Sequence, residues 1–432
     1  MRTETLRLRT NDYVALFALA FGMALMAAVK FVFDLSLVSV LVVYGVAFVG
    51  LTWKYPELVL MLIFAASPFQ NDLSGEGWAK FSIAEMSLAL AFPVFLVRCL
   101  LFRRRPVVGP ILIPVLLYFA VCIYSSIVTW RGSTALISLI QMVVYLIVAV
   151  MVFASFTRRP EQLLLALNGL VVSGLFLCAV EIVIGSNYVM GLHKNGIGGA
   201  LSCALVVATE LWWAANSPRN KWRYGIALAI LTAGLLFSLS RGAWLAALVG
   251  LLVLLGLRRK FRLFLQVCLI VIPLIALCWL FLPQESREYA TNFSTEQYSA
   301  RMRYQSLEFT QREFAKNWLT GVGVGLRKEY DATNVFWMTL AETGVLGLAA
   351  FLLIHIVFFG MVWKTQKRLS HNDPLFSLLI IGAALVLSQL VHGSLDHYWS
   401  RGQTMITWAA AGMATSVYYA TRRRNAALKE RS

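Results

Sequence analysis

The stretch Leu163–Ile184, LLLALNGLVVSGLFLCAVEIVI, decides the fold of this chain. Glu181 is its only charged residue, and the stretch is long enough to cross the hydrocarbon core of a bilayer, which takes about 20 apolar residues. Lipid offers no partner to backbone N–H and C=O groups, so a segment of this kind must satisfy them internally, as a helix. The stretch therefore predicts a transmembrane helix.

Similar apolar segments occupy most of the chain on both sides of this one. The sequence predicts helices at roughly 13–33, 35–53, 56–69, 83–102, 107–128, 136–156, 163–184, 198–215, 225–240, 243–257, 262–282, 332–363, 374–392 and 402–420. Hydrophobic residues make up 59 % of the chain and charged residues 14 %, and no soluble domain interrupts the apolar segments. We expect an all-α fold, a polytopic integral membrane bundle of about 12 to 14 transmembrane helices, with residues 1–432 as one membrane domain. The short segment 56–69 is also compatible with a re-entrant helix.

The basic residues indicate the orientation of this bundle. The formal net charge is +17, and Lys and Arg lie in short clusters between apolar segments. Alternating the sides of successive helices brings most clusters to one side, which the positive-inside rule identifies as cytoplasmic, together with both termini. These clusters are Lys54, 103–105, 158–159, 219–223, 258–260, 364–368 and 422–424. Because the charge follows the topology rather than forming one basic domain, we expect no nucleic-acid partner.

The opposite, outer side holds the one long extramembrane region that the sequence predicts, the loop 283–331. Within it, Ala300–Trp318 has a composition typical of a helix. The Gly-rich stretch Gly321–Gly325 follows no strand, so it predicts a flexible return to the membrane rather than a phosphate-binding loop.

Several common catalytic patterns do not occur in the sequence. The chain has no G-x-x-x-x-G-K-[ST], no H-E-x-x-H and no G-x-S-x-G motif, and its six cysteines form no C-x-x-C pair. Transport driven by ATP binding to this chain is therefore disfavoured. We expect neither a metal nor another cofactor.

Two groups of arginines lie on the outer side. Arg241 stands between two apolar segments with no polar loop around it, where a charge is costly unless it faces water, protein or an anion. Arg301 and Arg303 lie in the outer loop, against the positive-inside trend. Arginine donates two parallel hydrogen bonds to phosphate, so these residues are candidate anion ligands. A guanidinium reaching toward water from a helix end remains the alternative.

A third polar group follows the segment 374–392. His392, Asp396, His397 and Arg401 lie within ten residues of one another. A histidine that is hydrogen-bonded to an aspartate is a plausible general base near neutral pH. The alternative is an interfacial polar cluster at a helix end, without a catalytic role.

The order of these motifs resembles a known family. Ser240–Ala246 (SRGAWLA), Leu319–Gly325 (LTGVGVG), Asn334 and Leu340–Gly347 (LAETGVLG) are similar to the two sequence blocks of the bacterial O-antigen ligase and polymerase superfamily, the WaaL-like and Wzy-like membrane glycosyltransferases. The resemblance covers roughly residues 195–360. It implies a GT-C-like membrane fold in the bacterial cytoplasmic (inner) membrane, with a periplasmic active site.

The resemblance also implies a chemistry and residues that perform it. Members of the superfamily transfer a glycan from a polyprenyl pyrophosphate carrier to an acceptor hydroxyl, without a nucleotide or a metal. Two arginines are thought to hold the pyrophosphate, and these positions match Arg241 and Arg303, with Arg301 as a neighbouring alternative. Arg401 is a further candidate for pyrophosphate binding.

The chain departs from the ligase pattern at one position. Ligases commonly carry a His-Asn pair before the L-x-E-x-G block, and this chain has Thr333-Asn334. His392 or His397, oriented by Asp396, then becomes the candidate base. The departure favours a Wzy-type polymerase over a ligase that acts on lipid A-core. Such a polymerase joins undecaprenyl-pyrophosphate-linked repeat units of an exopolysaccharide, O-antigen or capsule.

Two other functional classes stay open at the level of the sequence. A transporter or flippase of lipid-linked sugars would carry charged residues inside its helices, and Lys30, Glu210 and His355 are the candidates. A non-catalytic membrane scaffold would require none of the arginines. Membrane lipids, the lipid-linked donor and acceptor, and other polysaccharide-assembly or chain-length proteins are the expected partners.

Overall fold

The structure is a computed structural model, and it describes most of the chain from residue 37 onward. The described residues are 37–69, 82–103, 105–129, 132–157, 159–184, 188–189, 192–259, 298–329, 334–396 and 401–430, with isolated residues between 262 and 287. The helix predicted at 13–33, most of the one predicted at 262–282, and residues Lys30, Thr333 and His397 lie outside the described residues.

The described chain is almost entirely helical. Its α-helices, in order, are α1 (Leu37–Lys54), α2 (Pro56–Ala66), α3 (Ile83–Leu101), α4 (Leu112–Val128), α5 (Ser133–Val143), α6 (Val150–Ser155), α7 (Leu163–Ile184), α8 (Lys194–Ala214), α9 (Pro218–Phe237), α10 (Arg241–Arg258), α11 (Tyr298–Lys316), α12 (Leu326–Glu329), α13 (Val335–Gln366), α14 (Pro374–Gly393) and α15 (Arg401–Lys429). A π-helical segment, Val144–Ala149, joins α5 to α6, and a 3₁₀ turn, Pro160–Gln162, precedes α7. The short strands β1 (Tyr188–Val189) and β2 (Leu192–His193) form an antiparallel pair before α8.

The all-α, polytopic membrane fold expected from the sequence is confirmed. Seven helical segments within the described residues are long and apolar enough to cross a membrane. The predicted helix at 163–184 has these limits in the structure, and the one at Ala300–Trp318 is α11. By contrast, α2 has 11 residues, so it is about 16 Å long and reaches about half-way through a hydrocarbon core.

Three helices, α8, α10 and α14, form the buried layer that carries the polar residues of interest. Small residues allow their close approach: a Cβ on Gly250 of α10 would lie 2.6 Å from Val206 Cγ2 of α8 and 3.3 Å from Ser388 Cβ of α14. Without a hydrophobic driving force between helices in lipid, such close backbone packing is a main source of helix association. Since α8 and α14 run opposite to each other across α10, each end of the layer collects residues from all three helices.

One end of this layer is closed by a buried ion pair. The guanidinium of Arg258, at the end of α10, donates to both carboxylate oxygens of Glu210 on α8 and, over 3.1 Å, to Ser377 Oγ on α14. Phe376 packs against the same guanidinium. The sequence predicts Arg258 in a connection between helices. In the structure it is instead the last residue of α10 and is buried, and Arg259 follows as the C-cap.

The predicted basic clusters lie toward this same end. The connection after α8 leads into Arg219, Lys221 and Arg223 of α9. Lys364 lies in the last turn of α13, and Lys367 follows that helix in the connection to α14. At the end of α15, Arg424 donates to Asp373, the N-cap of α14, over 2.9 Å. The arginines and histidine proposed as functional belong to the other end, about 25 Å away along α10 from Arg258 to Arg241.

Candidate functional site

The site begins at the tight turn between α9 and α10. Leu239 has a φ of 51°, a left-handed conformation that non-glycine residues rarely adopt and that costs free energy. Ser240 then caps α10, its hydroxyl accepting from the Ala243 amide. Arg241, the first residue of the helix, is half-buried at this end of the layer.

Gly242 brings the start of α10 against the residues that follow α14. A Cβ at this position would lie 3.0 Å from Asp396 Oδ2 and 3.2 Å from His392 Cδ2. These distances are shorter than most contacts that a Cβ atom makes in proteins, so Asp396 and His392 would have to move by a few tenths of an ångström. The glycine of the S-R-G motif thus permits the close approach of α10, Asp396 and His392.

The carboxylate of Asp396 connects two further elements. Its Oδ1 accepts a hydrogen bond of 2.6 Å from Asn195 Nδ2, in the first turn of α8. Its Oδ2 accepts from Arg303 Nη2 of α11 over 3.2 Å. Only 3 % of Asp396 is exposed, whereas 36 % of the Arg303 side chain is. Asp396 therefore joins α8, α10 and α11 beyond the end of α14.

Arg303 lies on the inner face of α11, and Arg301 on the outer face. The inward residues Ser306 and Thr310 follow Arg303 at helical spacing and are buried. Arg301, two residues earlier, is exposed. The structure thus favours Arg303 over Arg301 as the arginine that faces Asp396.

His392 is the last residue but one of α14 and is completely buried. The turn after it is held by the bonds from the Leu395 and Asp396 amides to the His392 carbonyl, of 3.0 and 3.1 Å. Asn334, the N-cap of α13, donates from its side chain to the Ser394 carbonyl over 2.8 Å. The segment where ligases carry their histidine is therefore tied to the turn that carries His392.

The start of α15 adjoins the same end of the bundle. Gln403 donates to the carbonyls of Pro68 and Gly196, over 3.1 and 3.4 Å. Arg401 is the first residue of this helix, and its side chain, like all of His397, is outside the described part of the chain. Its position two residues before Gln403 places its backbone near the Asn195 turn.

The second motif block forms a joint with α13. This helix is interrupted at Gly344, which has φ 64° and ψ −168°. The interruption releases backbone groups, and the loop after α11 satisfies them: the Val345 amide donates to the Trp318 carbonyl over 3.0 Å, and the Val322 amide to the Ala341 carbonyl over 2.9 Å. Unsatisfied backbone groups are costly in lipid, so this pairing permits the break.

Glu342 completes the joint with its side chain. One carboxylate oxygen accepts from the amides of Gly325 and Arg327, over 3.0 and 3.3 Å. Its carbonyl accepts from the Gly323 amide, over 3.0 Å, and from Ser125 Oγ of α4, over 2.8 Å. The expectation of a flexible Gly-rich segment is therefore wrong, because this segment is bonded to two helices.

The glycines of both blocks are required by this joint. Gly321, Gly323 and Gly325 have φ values of 75°, 88° and 102°, which favour glycine. A Cβ on Gly321 would collide with the backbone of Glu342 and Thr343, and one on Gly344 with the backbone of Leu319. The G-x-G-x-G and L-x-E-x-G patterns are thus two halves of one contact.

Sequence reasoning missed Asn195 as a site residue. It is separated from Asp396 by 201 positions, and no local pattern indicates that pairing. The one local signal is its position in the first turn of α8, two residues after the N-cap His193, since polar residues there begin a buried helix.

The described residues contain no group of three or more His, Cys, Asp and Glu side chains that could hold a metal ion. What the site brings together is a guanidinium, a carboxylate, an imidazole and a carboxamide. Such a set is suited to binding an anion and to moving a proton.

The matched family region coincides with this arrangement. Residues 226–352 match the family model described as O-antigen ligase. This range holds Arg241, Arg303 and both halves of the joint, while Asp396 and Asn195 lie outside it. A comparison with curated proteins finds no match. Residues 226–352 are thus similar to the O-antigen ligase family, which supports the resemblance to the O-antigen ligase and polymerase superfamily without separating the two subtypes.

Proposed function

We propose that this protein is a polysaccharide polymerase of the bacterial inner membrane. It would transfer a glycan from undecaprenyl pyrophosphate to a hydroxyl of another lipid-linked repeat unit, at the periplasmic face. The observation that carries the proposal is the convergence of Arg303, Asp396 and the start of α10 at one end of the bundle, opposite to the basic clusters. The positive-inside rule then supports a periplasmic location for this end.

In this mechanism the arginines stabilise the leaving group. The bond between the sugar anomeric carbon and the pyrophosphate oxygen breaks, and Arg241 and Arg303 neutralise the departing diphosphate. Electrostatic stabilisation of developing charge is usually the largest single contribution to such a step. Arg401, at the start of α15, is a further ligand in this proposal, and Arg301 the less favoured one.

One base is also needed, because the acceptor hydroxyl loses its proton as its oxygen attacks the sugar. We assign this role to His392 or His397, with Asp396 as the residue that orients it. The Asn334–Ser394 hydrogen bond supports the assignment, since it joins the position of the ligase histidine to the His392 turn. Either histidine would thus act from a neighbouring segment in place of Thr333.

Two of the three residues that are candidates for a transporter, Glu210 and His355, have structural contacts instead. Glu210 is paired with Arg258, and His355 Nδ1 lies 2.8 Å from the Phe351 carbonyl on the preceding turn of its own helix. These contacts explain both buried groups without a transport path.

The test is a reconstitution with purified protein and an undecaprenyl-pyrophosphate-linked repeat unit, resolving the product by length. We expect a ladder from the wild type, its loss in Arg241→Ala, and its retention in the control Arg312→Ala, which removes an exposed arginine of α11. Consumption of donor only after addition of a separate lipid acceptor would instead identify a ligase. No turnover by folded protein with authentic donor would contradict both enzyme assignments.

A further inference from the structure

We propose that Asp396 occupies the place of the donor diphosphate on Arg303 and is exchanged for it when the donor binds. The inference rests on the proposed function and adds an order to it: the donor binds first, and its binding releases the carboxylate that assists the base. The juxtaposition that carries it is the contact of one buried carboxylate with Arg303, Asn195 and the start of α10.

The predicted diphosphate ligand Arg303 is already bonded to an anion of this chain. Its Nη2 atom lies 3.2 Å from Asp396 Oδ2. A diphosphate that binds at Nη2 of Arg303 competes with this carboxylate, because the donors of the planar guanidinium point in fixed directions. Since 36 % of the arginine side chain is exposed and only 3 % of the aspartate, the arginine is the partner that can turn toward an incoming ligand.

The second oxygen of Asp396 keeps the carboxylate in place during such an exchange. Asn195 donates to Oδ1 over 2.6 Å, from the first turn of a long helix. The loss of Arg303 would therefore leave Asp396 positioned through Asn195. We assign Asn195 as a positioning residue for this reason.

The carboxylate and His392 both lie against the start of α10. Both are in tight contact with the position that a Cβ on Gly242 would occupy, at 3.0 Å for Asp396 Oδ2 and 3.2 Å for His392 Cδ2. An oxygen released from Arg303 thus stays near the imidazole, at the Gly242 contact, and its negative charge favours the protonated form of the histidine when it accepts a proton. Donor binding would in this way prepare the base.

The experiment measures binding of undecaprenyl diphosphate to the full-length protein in detergent, by titration calorimetry at constant ionic strength. The proteins are wild type, Asp396→Asn, Arg303→Ala and the double variant. Asp373→Asn is the matched control, because Asp373 also pairs with an arginine but at the opposite end of the bundle. Asp396→Ser removes the same charge and replaces the Asn variant if that one does not fold.

We expect Asp396→Asn to bind the diphosphate about twofold to fivefold more tightly than wild type, as for the loss of a partly exposed competing ion pair. In the Arg303→Ala background the same substitution should give no gain, since there is then no arginine to release. In the polymerisation assay Asp396→Asn should lower both KM for the donor and kcat. Asp373→Asn should change none of these values.

Two results would overturn the exchange alone. The first is a gain in affinity from Asp396→Asn that persists in the Arg303→Ala background, which would indicate simple charge repulsion. The second is an unchanged or weaker affinity in Asp396→Asn while Arg303→Ala still reduces binding. A wild type that binds no diphosphate would overturn the proposed function, and the exchange with it.

Discussion

At the scale of single residues, Gly242 limits the geometry of the whole site. A Cβ at this position would lie 3.0 Å from Asp396 Oδ2 and 3.2 Å from His392 Cδ2. Sequence patterns indicated Arg241 and the 392–401 cluster separately, and their proximity could not be predicted, because 154 positions separate Gly242 from Asp396 and no periodicity links them. Long-range contacts of this kind come from the packing of complete helices.

Gly242→Ala is expected to reduce turnover by about tenfold to a hundredfold, since small displacements of catalytic groups have effects of this size. The added methyl group would displace Asp396 and His392 while Arg241 is retained. Gly256→Ala, on the same helix with no neighbour within 4 Å, is the control and should keep wild-type activity. Polymerisation rates of the two purified variants provide the comparison, and equal rates would contradict a role for the close approach.

At the scale of secondary-structure elements, the joint between the loop after α11 and the break in α13 determines where Arg303 lies. Helix limits were largely predictable from apolar length and helical composition, as α7 and α11 show. The break at Gly344 was not, because residues 335–366 form one apolar segment. Only the loop that pairs with it explains why a glycine and a glutamate interrupt that segment.

Glu342 supplies a side-chain acceptor to two amides, and its substitutions should separate this role from its charge. Glu342→Gln keeps the accepting oxygen, so we expect a small loss of stability. Glu342→Leu leaves the amides of Gly325 and Arg327 without that acceptor, at a cost of about 1 to 3 kcal/mol each. Thermal unfolding in detergent measures the difference. A glutamine variant as unstable as the leucine variant would show that the charge, and not the acceptor, matters.

At the scale of the whole molecule, the layer of α8, α10 and α14 has a closed end and a functional end. The buried Glu210–Arg258 ion pair joins α8 to α10, and the bond from Arg258 to Ser377 adds α14. Arg258→Met alone should destabilise the protein by about 3 to 5 kcal/mol, because Glu210 would remain buried without it. Adding Glu210→Met should recover most of that loss. Unfolding curves of the single and double variants measure this, and additive losses would contradict the pairing.

The orientation of the bundle makes a separate prediction. The four cysteines in the described part of the chain are buried, so they should react slowly with a membrane-impermeant maleimide. In spheroplasts of a bacterium expressing the protein, Gln311→Cys on the exposed face of α11 should be labelled, and Lys221→Cys on α9 only after lysis. The reverse pattern would place the Asp396 end in the cytoplasm and contradict the proposed donor side.

The joint also limits how this protein can be recombined with its relatives. Its two halves, 318–327 and 341–346, exchange backbone hydrogen bonds in both directions, and their glycines contact each other's backbone. A chimera with a crossover between these halves would combine two segments from different proteins, whose backbones need not form the same hydrogen bonds and glycine contacts. Domain exchange aimed at altering glycan specificity should therefore move 298–346 as one cassette, with crossovers outside it.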